Sequence, residues 1–229
     1  MKFLKDLLFP RTCLNCGLLG SHICLSCQKK LKRIEKDNCF YCKRSGFLGL
    51  THPACKKPNG VDGVLSCFYY NDVLKKILKN IKYRLTREGL TELFRLFPEE
   101  TYHKLAYYKR LFPDLAVEEI PLHSARQKQR GFNQSGDIAA FLTMSFGFPR
   151  AQNLKRIKNT FPQSQQTKHR KRKDNIRNAF ILSKEKLIPV RHIVLVDDVI
   201  TTGATVAEAA RVLKKHGALK VFVFTLAKG

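Results

Sequence analysis

From Val61 onward the chain alternates short apolar runs with amphipathic stretches. VLSCFYY (64–70), DLAVEEIPLH (114–123, strand then loop), IPVRHIVLVDD (188–198) and LKVFVFTLA (219–227) read as strands. NDVLKKILKNIKYRL (71–85) places Val73, Leu74, Ile77, Leu78 and Ile81 at helical spacing, with lysines on its other side. SGDIAAFLTMSF (135–146) and ATVAEAARVLKKHG (204–217) read as further helices, the second stopped at Gly217. IVLV before the acid pair is an unbroken apolar run, as in a parallel strand buried on both faces. The pattern therefore predicts an α/β domain over 61–229, a mostly parallel sheet flanked by helices. FPQSQQTKHRKRKDNIRNAF (161–180) is polar and basic and reads as a long loop or a β-ribbon flap. No internal repeat is visible outside the cysteine pairs.

Charge narrows the possible ligands without choosing among them. A formal net charge of +25 over 229 residues suits a nucleic-acid backbone, an anionic membrane surface or a polyphosphate. No apolar run approaches the roughly 18 residues of a membrane span. MKFLKDLLFP has Asp6 inside its apolar stretch and no small-residue cleavage site, so no signal peptide is expected. The expectation is a cytoplasmic protein, peripheral at most to the inner membrane.

In such a compartment the eight cysteines are not a disulfide framework. Six form Cys-x-x-Cys pairs, Cys13 with Cys16, Cys24 with Cys27 and Cys39 with Cys42, and His52-x-x-Cys55 makes a fourth pair. Two intervening residues let one tight turn aim both side chains at one metal, and zinc takes four such ligands. Sequential pairing puts Cys13, Cys16, Cys24 and Cys27 on one structural zinc, and Cys39, Cys42, His52 and Cys55 on a second. For the second group a surface His52 and an empty site stay open. Residues 1–60 are thus a double zinc ribbon, and Cys67, alone in an apolar run, is a core residue.

IVLVDDVITTGAT (193–205) carries the candidate ligand chemistry. Gly203 lets backbone approach a ligand, Thr201, Thr202 and Thr205 add hydroxyls, and Ala204 opens a helix whose free N–H groups favour an anion. Asp197 and Asp198 can accept from two vicinal ribose hydroxyls or hold a divalent cation bearing phosphates. The stretch resembles the phosphoribosyl pyrophosphate (PRPP) signature of type I phosphoribosyltransferases, which implies PRPP with Mg²⁺ as the ligand. IPLHSARQKQRGFNQS (120–135) carries Arg126, Lys128 and Arg130 into a glycine turn where those enzymes hold pyrophosphate. Arginine suits bidentate phosphate contact, although Arg130 and Gln134 bracing the loop is the alternative.

A narrower resemblance covers nearly the whole chain. The double ribbon, RGFNQS (130–135), Gln163, Arg172, Asn175, NAF (178–180) and the terminal signature together resemble the ComF family. That resemblance implies a role in natural competence and single-stranded DNA handling, with a DNA-uptake helicase or inner-membrane channel as partner. Two functions stand side by side. One is an enzyme transferring a phosphoribosyl group to an acceptor that the sequence does not identify. The other is a single-strand binder that keeps the PRPP site as a sensor. For the binder, Arg170, Lys171, Arg172 and Lys173 in KHRKRK are the candidate DNA contacts, unless that run is merely a solvated face. Phe132, Phe161 and Phe180 are either base platforms or core.

Overall fold

The computed structural model of the protein describes residues 10–84, 87–159, 176–183 and 191–229. Among them the strands are Gly63–Tyr69 (β1), Ala116–Glu119 (β2), Leu154–Arg156 (β3), Phe180–Leu182 (β4), His192–Ile200 (β5) and Lys220–Lys228 (β6). The helices beyond the ribbon are Asp72–Arg84 (α1), Arg87–Phe94 (α2), Glu99–Leu111 (α3), Ser124–Arg130 (α4), Gln134–Phe146 (α5) and Ala204–Lys215 (α6). Four strands form one parallel sheet in the order β1-β6-β5-β2.

Side-chain alternation explains why these strands are apolar throughout. Val194, Val196, Phe222, Phe224 and Leu226 pack into one layer with Leu74, Ile77 and Ile81 of α1 and Ile138 and Leu142 of α5. Ile193, Leu195, Val221 and Val223 pack on the other side with Val206, Ala209, Ala210 and Leu213 of α6. The parallel, helix-flanked sheet is thus the expected one.

The ribbon closes the sheet edge at β1. Backbone bridges join Arg33 to Phe68 and Leu50 to Gly63, covering N–H and C=O groups that an open edge would expose. Leu14 and Ile23 of the first knuckle enter the α1 layer, whereas Phe40 of the second enters the α6 layer. At Gly89 of α2 an added Cβ would sit 2.6 Å from Leu14 Cδ1, so glycine permits this close docking. Glu92 of the same helix accepts from the backbone N–H groups of His22 and Ile23, at 3.2 and 2.9 Å.

Three readings are corrected or sharpened. Residues 124–130, taken as part of a loop into a glycine turn, are a helix that ends at Gly131 in the left-handed region. β5 runs two residues past the acid pair to Ile200 rather than ending at it. Helices α2 and α3 carry no signal that the apolar pattern picked out. β3 and β4 pair antiparallel on either side of the basic segment. Residues 160–175, and with them Gln163, Arg170, Lys171, Arg172, Lys173 and Asn175, lie outside the described residues.

Candidate functional site

Near the carboxyl end of β5, Asp197 and Asp198 are gripped from two sides. Ser135 at the start of α5 donates its hydroxyl to Asp197 Oδ1 at 3.1 Å, and the Asp198 backbone N–H donates to the same oxygen at 2.9 Å. Asp198 forms an ion pair with Lys82 of α1. Burial and the neighbouring Asp198 charge push the Asp197 carboxyl up to about 7. Burial alone would raise Asp198 too, but the Lys82 ammonium outweighs it and holds Asp198 below the usual carboxylate range. Lys82 is raised in return, against the opposing effect of its own burial.

Cations surround this pair. Arg126 and Arg130 sit four residues apart on α4, hence on one helix face. Burial lowers Arg126, and the Arg130 charge lowers it further. Arg156, delivered by β3, is pushed down to about 10 by burial and by Arg126, while Asp197 pulls it back up. Lys82 in turn feels the repulsion of Arg130. Four cations and two carboxylates therefore share one neighbourhood, a charge balance that favours a ligand with several negative charges and hydroxyl groups. Lys82 and Arg156 were missed at the sequence level, since neither lies in a motif and each reaches the site from a distant segment.

Beyond β5 the chain turns through Thr201–Thr205 into α6. Gly203, at φ +75°, caps the helix, and Thr202 Oγ1 accepts from the Ala204 N–H at 3.3 Å. The Gly203 Cα faces the second knuckle, where an added Cβ would lie 2.6 Å from Phe40 Cζ. Both a left-handed backbone and the nearby ring thus require glycine here.

The two ligand groups of the ribbon assemble in the sequential pairing. The donor atoms of Cys13, Cys16, Cys24 and Cys27 lie within 4.8 Å of one another, as do those of Cys39, Cys42, His52 and Cys55. Cys16 and Cys24 Sγ are 3.6 Å apart, near the roughly 3.8 Å that a tetrahedral ion with Zn–S bonds of about 2.3 Å imposes. His52 Nε2 is 2.8 Å from the Ser45 carbonyl and Nδ1 is 3.2 Å from Cys42 Sγ. Donation from Nε2–H to Ser45 leaves the Nδ1 lone pair for a metal, as in metal-bound histidines. The donor sets fit zinc, Cys₄ in one and Cys₃His in the other, so His52 is not a stray surface residue. Cys67 is fully buried in β1, and burial pushes its thiol far up. Phe132 and Phe180 are buried as well, which removes them as open base platforms, and Phe161 lies outside the described residues.

Comparison with known proteins agrees with this architecture. The phosphoribosyl transferase domain family matches residues 129–229. The competence protein ComFC of Bacillus subtilis is 30% identical over 217 residues, covering 89% of this chain and 83% of that protein. The DNA utilization protein YhgH of Salmonella typhimurium is 32% identical, covering 94% and 83%. Competence protein F of Haemophilus influenzae is 28% identical and covers 96% and 98%.

Proposed function

The chain belongs to the ComF family of competence proteins with a phosphoribosyltransferase-like domain, and from that premise we propose that it binds PRPP at the β5 site and handles single-stranded DNA. The observation that carries the reading is the acid pair held between Ser135, Lys82 and the arginines. The 5-phosphate takes the N–H groups and hydroxyls of Thr201–Thr205, and the ribose hydroxyls donate to Asp197 and Asp198. The pyrophosphate takes Arg126 and Arg130, joined by Lys82 and Arg156. The carboxylates also suit Mg²⁺, which prefers hard oxygen ligands together with ligand phosphates. The DNA reading is supported by the charge of +25 and by the relatives, a competence protein and a DNA utilization protein. KHRKRK (168–173) is the proposed contact with the strand, on the cytoplasmic side of the membrane.

Asp197→Asn tests the PRPP reading. It removes an acceptor for ribose and leaves the Lys82–Asp198 pair in place, so the chain stays folded. Calorimetry with PRPP and Mg²⁺ should show an affinity at least tenfold weaker than wild type. Equal affinity in the folded variant sinks the reading. Pyrophosphate release on adding an oligonucleotide or amine would instead favour transfer to an acceptor over sensing.

A further inference from the structure

A cleft of about 920 Å³ lies between the second knuckle and the outer face of α6, near the top of the range of roughly 300–1,000 Å³ for ligand pockets. It meets the β5–α6 loop at Thr202, Gly203 and Ala204 but contains neither Asp197 nor Asp198. Lys43, Lys57, Arg177, Arg211 and Lys215 line it against one acid, Glu208. Glu208 is already satisfied, accepting from Arg211 at 2.6 and 2.9 Å and from the Asn178 N–H at 2.7 Å. Lys43 Nζ is tied to the Phe40 carbonyl at 2.7 Å. Lys57, Arg177 and Lys215 are exposed and come from three separate segments, so the cleft presents cations from both its ribbon side and its α6 side.

An aromatic wall accompanies these charges. Tyr41 is half-buried, its hydroxyl accepting from the Val61 N–H at 3.0 Å and its ring meeting Phe40 edge-on at 4.9 Å. Lys57 Nζ lies over this ring, 4.8 Å from its centroid, and a ring paired with spaced cations is the combination with which proteins bind bases and phosphates of a flexible strand.

We propose that this cleft is the track of a single-stranded polynucleotide, with phosphates on Lys57, Arg177 and Lys215 and a base taking the Tyr41 face that Lys57 leaves for its phosphate. The proposal rests on the DNA reading above and gives it a place built from the ribbon and α6 together. A strand lying there borders the Thr202–Ala204 loop, so strand and PRPP each alter the affinity of the other.

The test is fluorescence anisotropy with a short labelled oligo-dT, comparing wild type with Lys57→Glu/Arg177→Glu/Lys215→Glu. These are surface positions, and calorimetry with PRPP reports that the variant is intact. The variant should bind oligo-dT at least tenfold more weakly, with its salt slope flattened by about 2, at roughly 0.7 per lost phosphate contact. Wild-type binding with an unchanged variant overturns the cleft and leaves the DNA role standing, to be sought at 168–173. Absence of binding by wild type overturns both. Thymidine monophosphate competing as well as the oligonucleotide assigns the cleft to a single nucleotide and overturns the strand.

Discussion

Replacing Lys82 by Met keeps the length of the side chain and removes the charge that holds Asp198 ionised. In the wild type, Asp198 is depressed, so its contribution to stability is present above the ordinary aspartate pKa and is lost only as pH falls through its lowered value. Without the ammonium, burial next to Asp197 raises Asp198 instead, and the sign reverses. The variant is then least penalised at low pH and loses stability as pH rises through the new pKa. At pH 5, keeping one carboxyl protonated costs about 1.5 kcal/mol, since pH 5 is about one unit above an ordinary pKa near 3.9. Toward pH 7.5 the loss grows to about 3–5 kcal/mol, the usual cost of leaving one partner of a buried pair alone. Lys82 and Asp198 retain 25% and 16% exposure, which places the effect at the lower end of that range. Urea unfolding of the zinc-loaded protein at several pH values reads the difference directly, because metal-linked effects are common to both proteins. Parallel wild-type and variant curves from pH 5 to 7.5 would refute the assignment, as would failure of Lys82→Met/Asp198→Asn to recover most of the loss at pH 7.5.

Gly203→Ala should cost about 1–2 kcal/mol from its left-handed backbone alone, before the approach to Phe40 is counted. PRPP affinity in calorimetry should fall more than tenfold, and an unaltered affinity would show that the loop is not the phosphate site. Thiol titration should find all eight cysteines silent in the zinc-loaded protein, seven reactive after chelation, and Cys67 reactive only in denaturant. Immediate reaction of an eighth thiol on chelation would mean that β1 opens together with the ribbon.

The parts legible in the sequence are those whose partners are close along the chain. Cys-x-x-Cys pairs and the Asp197–Thr205 stretch each fit within one turn or one strand-to-helix connection, so spacing alone conveys their geometry. Long apolar runs such as IVLV conveyed a doubly covered strand for a different reason, since burial on both faces leaves no polar alternation whichever helices cover it. α4 escaped because none of its seven residues is buried, which leaves no apolar period to detect. α3 buries only Thr101, Leu105 and Tyr108, and α2 contains a glycine that resembles a helix breaker until Leu14 is seen against it. Lys82 illustrates the limit at the site itself. On α1 it is one more lysine on a polar face, and only the crossover from β1 to β2 brings it to Asp198.

The strand order has a consequence for biosynthesis. Lys220–Lys228 sits between β1 and β5, although it is translated after both. Until those residues leave the ribosome, β1 and the β5–β2 pair have no common neighbour, and apolar faces meant for the interior stay open in the nascent chain. The ribbon, whose eight candidate metal ligands all lie before residue 56, is complete long before that moment and can shield β1 while it waits. A ribosome stalled short of residue 220 would therefore hold a finished ribbon and a sheet split in two, with its acid pair on a strand that lacks its central neighbour. Such a chain is an aggregation hazard and a ready target for proteolysis.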